Sequence, residues 1–495
     1  MPDIHDLGLI LKSRVPIIVI ETHEEQRALQ TLTRLSISQG LDLYTWSVTA
    51  GLCRQPGDVE TGAGVKTSQP DRALSRIKNM DRDGLFVLLD FHPYLEDDPT
   101  IVRLIKDLAL AEGRPKRHLV FISHRFDLPA ELHRLAARFQ LRMPNEKQLE
   151  AIVKAEAQHW SEMHRGARVR TDRATLERLV FNLRGLTLAD ARRVVRKAIY
   201  DDGAITEADL PTVNQAKFEL MNLDGVLHYE LDTAKFSEVG GFFNLKRWVE
   251  ARALAFRTAD RRSDLDAPKG VMLIGVQGGG KSLAAKAVAG IWGLPLLRLD
   301  FASLYNKFYG ETERNLREAL ALAERMAPCV LWMDELEKGI ATDGNDGGTS
   351  RRVLGTLLTW MAERTAPVFI VATSNDISRL PPELIRKGRL DEIFFVDLPD
   401  EAVRAEIFRI HLEQRGIDYS ELDLSGLAGE TDGFSGAEIE QAVVSALYQA
   451  TAEDSPLNQG RLESEIRNTR PLSVVMAEPI RQLRAWAQGR TVPVG

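Results

Sequence analysis

Two short stretches of the chain carry residues whose types and spacing suit phosphate chemistry. Gly275-Val276-Gln277-Gly278-Gly279-Gly280-Lys281-Ser282 fits the pattern GxxxxGK[ST]. Glycines there let backbone N–H groups converge on phosphate oxygens, a following helix N-terminus adds a favourable dipole, and Lys281 would reach the β- and γ-phosphates. Ser282 then stands where it can ligate Mg²⁺, with Leu283 next to it in the same turn. The second stretch is the apolar run Val330-Leu331-Trp332-Met333, which ends in Asp334-Glu335. Asp334 is expected to hold Mg²⁺ through its water shell, and Glu335 to orient and activate an attacking water. Asp-Glu before Leu336-Glu337-Lys338 could also cap a helix, but a cap needs no long apolar strand in front of it. ATP and Mg²⁺ are therefore the expected cofactors.

These residues need particular elements to hold them. Val271-Met272-Leu273-Ile274 is a short apolar strand entering the glycine loop, and residues 282–289, rich in Ala, Leu and Lys, form a helix leaving it. Residues 368–373 form another apolar strand ending in Ser374-Asn375-Asp376, expected beside the strand that bears Asp334. That neighbour would set the Asn375 amide near the γ-phosphate and the attacking water.

At 495 residues, 44% hydrophobic and 27% charged, the chain is long enough for two to four domains and is not disordered. It contains no apolar run near 18 residues and no leader pattern, so a membrane span is not expected. A net charge of −7 disfavours nonspecific nucleic-acid binding. Cys53 and Cys329 fall in apolar strands and read as buried thiols of a cytoplasmic protein.

The amino half repeats the order of strands and helices without the chemistry. Residues 15–20 form a strand, but Thr22-His23-Glu24-Glu25-Gln26-Arg27 follows it, with neither glycine nor lysine at the turn. Leu85-Phe86-Val87-Leu88-Leu89 ends in Asp90, and Phe91 takes the place of the catalytic Glu. Met143-Pro144-Asn145-Glu146 before one helical stretch resembles Leu398-Pro399-Asp400-Glu401 before another, and Arg184-Gly185-Leu186-Thr187-Leu188-Ala189-Asp190 resembles Asp432-Gly433-Phe434-Ser435-Gly436-Ala437-Glu438. His23, His92, His124 and His133 match no compact ligand spacing and read as solvent-facing or loop residues.

Further motifs carry a resemblance. Val239-Gly240-Gly241, the two phosphate motifs, Asn375, and Leu384-Ile385-Arg386-Lys387-Gly388-Arg389-Leu390-Asp391 make residues 236–489 similar to the AAA class of the AAA+ ATPases. The resemblance extends to His411, matching the lid histidine near the adenosine, and to Gly433-Phe434-Ser435-Gly436-Ala437, matching the start of the lid helix. The whole chain resembles the conserved hypothetical open-reading-frame AAA proteins of chloroplasts and cyanobacteria. Gln277 and Gly279 depart from the proline and threonine common in the class, and Ala437 stands where other AAA+ proteins carry a sensor arginine.

The resemblance implies a P-loop NTPase (AAA+) α/β fold: a parallel-sheet core with a helical lid, preceded by a degenerate nucleotidase-like α/β domain with its own helical region. Boundaries are expected at 1–142 for the degenerate domain, 143–200 for its helical region, 201–235 for a linker, 236–399 for the core and 400–495 for the lid. Arg386 and Arg389 match the arginine-finger segment, which a neighbouring subunit would supply in a ring, by resemblance a hexamer. Lys307-Phe308-Tyr309 resembles the first pore loop, with Phe308 protruding to grip a polypeptide. The glycine-rich run 344–348 reads as a second channel loop. An ATP-driven remodeller of a protein substrate or partner fits these features, with a regulatory ATPase acting through nucleotide-controlled assembly as an alternative. A nucleic-acid motor is a third reading, which no recognisable nucleic-acid motif supports.

Overall fold

The computed structural model describes residues 2–55, 67–96, 98–111, 116–221, 226–231, 238–258, 267–304, 311–340, 347–386 and 388–495. Two compact units divide it: residues 1–145 with 186–189, and residues 146–185 with 190–495.

The first unit is built on β1 (Ile17–Glu21), β2 (Asp42–Ser47), β3 (Gly51–Gln55), β4 (Gly84–Leu89), β5 (Arg117–Ser123) and β6 (Ala136–Phe139), in the order β3-β2-β4-β5-β1-β6. All pairings are parallel except β2 with β3. The sheet is covered on both faces, which is why its strands read as near-continuous apolar runs rather than alternating ones. Ile17, Val19, Phe86, Leu88, Leu119 and Phe121 enter one buried cluster, while Ile18, Ile20, Leu85, Val87, Val120 and Ile122 enter the other.

The second unit carries β7 (Leu227–Glu230), β8 (Gly270–Gly275), β9 (Leu296–Leu299), β10 (Cys329–Met333), β11 (Val368–Ser374), β12 (Glu392–Val396) and β13 (Val492–Pro493), in the order β13-β12-β8-β11-β10-β9-β7. Its five central strands repeat the order of the first sheet: β12-β8-β11-β10-β9 corresponds to β6-β1-β5-β4-β2. Each sheet also adds an antiparallel edge strand beside its second strand, β3 in one and β7 in the other. The expected duplication is thus present in topology.

The register shows what replaced the chemistry in the amino half. Leu89 lies opposite Ile122, and Met333 opposite Ala372, so Asp90 and Ser123 correspond to Asp334 and Thr373. Phe91 follows Asp90 and is fully buried, its ring 5.0 Å from Trp46, 5.6 Å from Tyr94 and 5.7 Å from Phe121. An apolar side chain has turned into the core where a carboxylate would face solvent. His92, His124 and His23 come together at the same strand ends, with ring centroids 5.2 and 5.9 Å apart, and His92 Nδ1 lies 2.8 Å from Ser123 Oγ. His23 and His124 are exposed and lie in the turns after β1 and β5, as expected, and the strand ends bring these residues together although they are far apart in sequence. Among the described residues, no group of three or more His, Cys, Asp or Glu side chains could hold a metal ion.

Three expectations need correction. Residues 201–235 are not a plain linker: the helix Leu210–Met221 buries Phe218 in the second core, and β7 completes the sheet's edge. Residues 400–495 are not all lid. The helix Ala477–Ala487 buries Leu483 and Ala487 against the core, and β13 extends the sheet beside β12. Both returning pieces are too short to show a periodic pattern, and only long-range pairing makes them elements. Cys329 is buried as expected, whereas Cys53 is only half-buried. Lys307, Phe308, Tyr309 and residues 344–346 lie outside the described residues.

Phe91 dominates a buried aromatic cluster, and truncating such a ring costs roughly 3–5 kcal/mol. Phe91→Ala is therefore expected to destabilise the amino-terminal unit by that amount in urea unfolding followed through Trp46 fluorescence. A change below about 1 kcal/mol would contradict the packing described.

Candidate functional site

β8 runs into the glycine loop, and the helix Lys281–Trp292 leaves it. Gly278 and Gly280 have left-handed φ values of 73° and 88°, which glycine reaches without a Cβ penalty. This curvature opens the loop toward a cleft of about 770 Å³. The cleft is walled by residues 277–283, by Asp334, Glu335 and Asn375 from the strand ends, and by residues 238–243. His411, Gly436 and Ala437 close it from the lid.

Most of the predicted nucleotide residues therefore meet in one place. Gly240, Gln277, Gly278, Gly279, Gly280, Lys281, Ser282, Leu283, Asp334, Glu335, Asn375, His411, Gly436 and Ala437 all line the cleft. Gly275 and Val276 do not; they lie behind the loop, and their carbonyls accept hydrogen bonds from Lys281 Nζ at 2.9 and 2.7 Å. Arg386 and Arg389 do not line it either. Arg386 is exposed after the short helix Pro382–Ile385, and Arg389 donates to the Glu383 carbonyl.

The lid meets the loop directly. The Ala437 N–H donates to the Gly278 carbonyl at 3.3 Å, at the start of the helix Gly436–Ala452, whose Ser435 and Glu438 form a reciprocal cap. A Cβ on Gly240 would come within 2.9 Å of Ile407 Cγ1 on the lid helix Glu401–Gln414, so this position admits no side chain without movement. The neighbouring Gly241 N–H donates to Glu406 Oε2 at 3.0 Å.

Besides Asn375, the acidic end is held by residues that the sequence reading did not single out. Thr373 Oγ1 donates to Asp334 Oδ1 at 2.6 Å and accepts from the Glu335 N–H at 3.0 Å. Glu335 itself is left-handed, with φ 47°, an uncommon conformation for a non-glycine residue. The Asn375 side-chain amide donates to Glu335 Oε1 at 3.2 Å, and Lys338 Nζ donates to Glu335 Oε2. Glu337 is buried and accepts from the Asn375 N–H at 3.0 Å. Arg298 on β9 lies 3.7 Å from Asp334 Oδ2 and 3.9 Å from Glu230 of β7. Thr373 could have been sought as the residue of β11 facing Asp334; no local pattern marks Arg298 or Glu230.

Burial shapes the charges. Lys281 is almost fully buried, and desolvation pulls its ammonium down to about 8, opposed by Glu337, Asp334 and Glu335. The His411 imidazole is likewise lowered by burial, against the carboxylate of Glu440.

A strand–glycine loop–helix, paired carboxylates two strands over and a lid on the loop define an AAA+ ATPase. The chain has ATP hydrolase architecture, and that architecture implies binding of ATP and Mg²⁺. Family descriptions match along its length: the SpoVK-like AAA ATPase N-terminal domain over residues 3–141, its second domain over 147–224, the AAA ATPase family over 271–398 and the AAA+ lid over 421–463. The chain is 34% identical over 489 residues to an uncharacterized AAA domain-containing protein ycf46 of Pyropia yezoensis, covering 97% of each. The ycf46 protein of Guillardia theta is 34% identical over 98% of this chain and 95% of its own. A proteasome-activating nucleotidase of Aeropyrum pernix is 38% identical over 44% of this chain and 56% of its own length. The chain belongs to the ycf46 family of AAA proteins.

These relatives correct the cytoplasmic placement. The ycf46 proteins are chloroplast-genome-encoded, which suggests a plastid rather than a purely cytoplasmic setting. Cys53 and Cys329 are both free thiols. Among the described residues, no helix is long and apolar enough to cross a membrane.

Removing the Thr373 hydroxyl would strand one carboxylate oxygen and one backbone N–H in a part-buried site. Loss of a partner in such a setting costs about 1–3 kcal/mol. Thr373→Val is expected to lower unfolding stability by that amount, while Thr373→Ser retains most of it. Equal stability of the two variants in chemical denaturation would contradict the bridge.

Proposed function

We propose that the chain is a ring-forming ATPase, by class resemblance a hexamer, that couples hydrolysis to remodelling or translocation of a protein substrate or partner. The observation that carries this reading is that the cleft gathers the phosphate, Mg²⁺ and water-activating residues but neither arginine. An exposed Arg386 outside its own cleft suits a finger offered to a neighbour's γ-phosphate. The Lys307-Phe308-Tyr309 sequence, which resembles a first pore loop, and the likeness to a relative whose name is proteasome-activating nucleotidase support a protein substrate.

The donor set fits the nucleotide and its metal. Loop N–H groups and Lys281 would hold the phosphates, while Ser282 and Asp334 would hold Mg²⁺, which offsets charge on the phosphate oxygens when bound. Glu335 would take the proton of the attacking water. Asn375 fixes Glu335 Oε1, and Lys338 ion-pairs with Oε2, so the base is held from both sides at rest. Glu335 must leave Lys338 to act as a free base. Gly240, His411, Gly436 and Ala437 would enclose the nucleoside.

One experiment tests hydrolysis and the shared site together. Glu335→Gln is expected to keep ATP binding and nearly abolish turnover, and Arg386→Ala or Arg389→Ala to lose about 10³ in rate, as for other arginine fingers. Mixing Arg386→Ala with Glu335→Gln subunits should restore part of the activity, because some interfaces then pair an intact base with an intact arginine. No recovery despite demonstrated co-assembly would overturn action between subunits.

A second prediction follows from Lys281. Its ammonium titrates near 8 in the free cleft, and bound phosphate would raise that value by supplying opposite charge. Affinity for ATP is therefore full below pH 8 and falls as pH rises through 8 toward the raised value of the complex. Titration calorimetry in buffers of different ionisation enthalpy should show proton uptake on binding at pH 8.5. No uptake would contradict the assignment.

A further inference from the structure

The chain's last described residues form a wall of the nucleotide cleft that no phosphate motif explains. After the helix Ala477–Ala487, the backbone returns to the core and β13 pairs in parallel with β12, Val492 opposite Phe394 and Pro493 opposite Phe395. The Val494 N–H donates to the Phe395 carbonyl at 3.2 Å. Val494 also accepts from the Asn244 N–H at 2.8 Å, and Pro493 accepts from Asn244 Nδ2 at 3.1 Å. The returning strand thus supplies acceptors to N–H groups that the first turn of the helix Phe243–Thr258 cannot satisfy internally. Val492 and Val494 pack against the apolar cluster under the glycine loop, and Arg484 holds Asp397 with two hydrogen bonds of 2.9 Å.

This anchored segment then enters the cleft. Pro493, Val494 and Gly495 line it beside residues 238–243. A Cβ on Gly495 would lie 3.7 Å from the Phe242 nitrogen and 4.0 Å from Phe243 Cδ2. Phe243 is 58% exposed although it stands in the wall of a cleft, so its ring is left without the cover that an aromatic side chain normally finds. Val239, Phe242, Ile407 and Ile410 add apolar lining to the cleft, whereas Lys281, Asp334 and Glu335 supply charged groups.

We propose that residues 493–495 and the ring of Phe243 form the surface against which the nucleotide's base rests. This end of the cleft then sets affinity for the base, while the glycine loop sets affinity for the phosphates. The proposal rests on the placement of ATP in this cleft. Aromatic rings stack on nucleobases, and alanine substitution of such a ring weakens binding by about tenfold. Anchoring the strand through β12 and Asn244 holds the opposite side of the contact in place before the nucleotide arrives.

The test compares ATP with inorganic tripolyphosphate, which carries the phosphates and no base, by titration calorimetry on the full chain. Phe243→Ala is expected to weaken ATP binding about tenfold and to leave tripolyphosphate binding unchanged, and the double variant Val492→Ser/Val494→Ser to weaken ATP binding more than tripolyphosphate binding. Phe243 is exposed, so its variant should fold even where loosening the strand costs stability. The proposal is overturned if Phe243→Ala leaves ATP affinity unchanged, or if both ligands weaken equally in both variants. Lys281→Ala separates this from the underlying placement: it should weaken both ligands, and if it weakens neither, the cleft itself is misassigned.

Discussion

The position of β11 between β8 and β10 is the constraint on which the site depends. Neighbouring strands lie about 4.8 Å apart, so inserting one between the strand that feeds the glycine loop and the strand that ends in Asp334-Glu335 opens a gap of about 10 Å. A phosphate chain with its metal fits such a gap. The inserted strand also brings its own end to the middle of it, which is why Thr373 and Asn375 reach both carboxylates. Parallel pairing matters as much, because it brings all these strand ends to one edge.

Burial of the sheet on both faces makes that edge rigid. Alternate residues of β8 and β10 enter separate apolar clusters, so neither strand can slip by one position without exchanging its two buried sets. The rigid edge can hold Glu335 in a left-handed turn and Lys281 in a desolvated one, both of which cost free energy in isolation. The amino-terminal unit keeps the same scaffold, and a left-handed residue at the same strand end, Asp90 with φ 49°, but has no lysine at the turn after β1. Its Phe91 takes an ordinary helical conformation and turns into an aromatic cluster. The architecture persists there while the residues that would handle phosphate are absent, so fold and activity are separable in this one chain.

The lid differs from the core in how it is tied. The chain leaves the core after β12 through residues 397–400, which border the cleft, and rejoins it in the helix Ala477–Ala487 before β13 pairs beside β12. The hydrogen bond from the Ala437 N–H to the Gly278 carbonyl ties the start of the lid helix Gly436–Ala452 to the glycine loop.

The sequence by itself determined the phosphate loop, the paired carboxylates, the polar residue after the next strand and, in the amino half, the loss of the phosphate loop and of the second carboxylate. Each is a local signal, a residue type at a fixed distance from an apolar strand, and the backbone geometry that it needs is written within about ten residues. The two-fold repetition was legible for the same reason, from strands that are buried on both faces and so read as apolar runs. Tertiary structure alone decided which distant residues complete the site. Thr373 meets Asp334 through pairing of β10 with β11, and Arg298 reaches it from β9. Residues 227–230 and 492–493 become strands only by pairing with β9 and β12, because segments of four and two residues carry no periodicity of their own. Long-range pairing in a sheet is set by the whole core's packing, which no local stretch of sequence encodes.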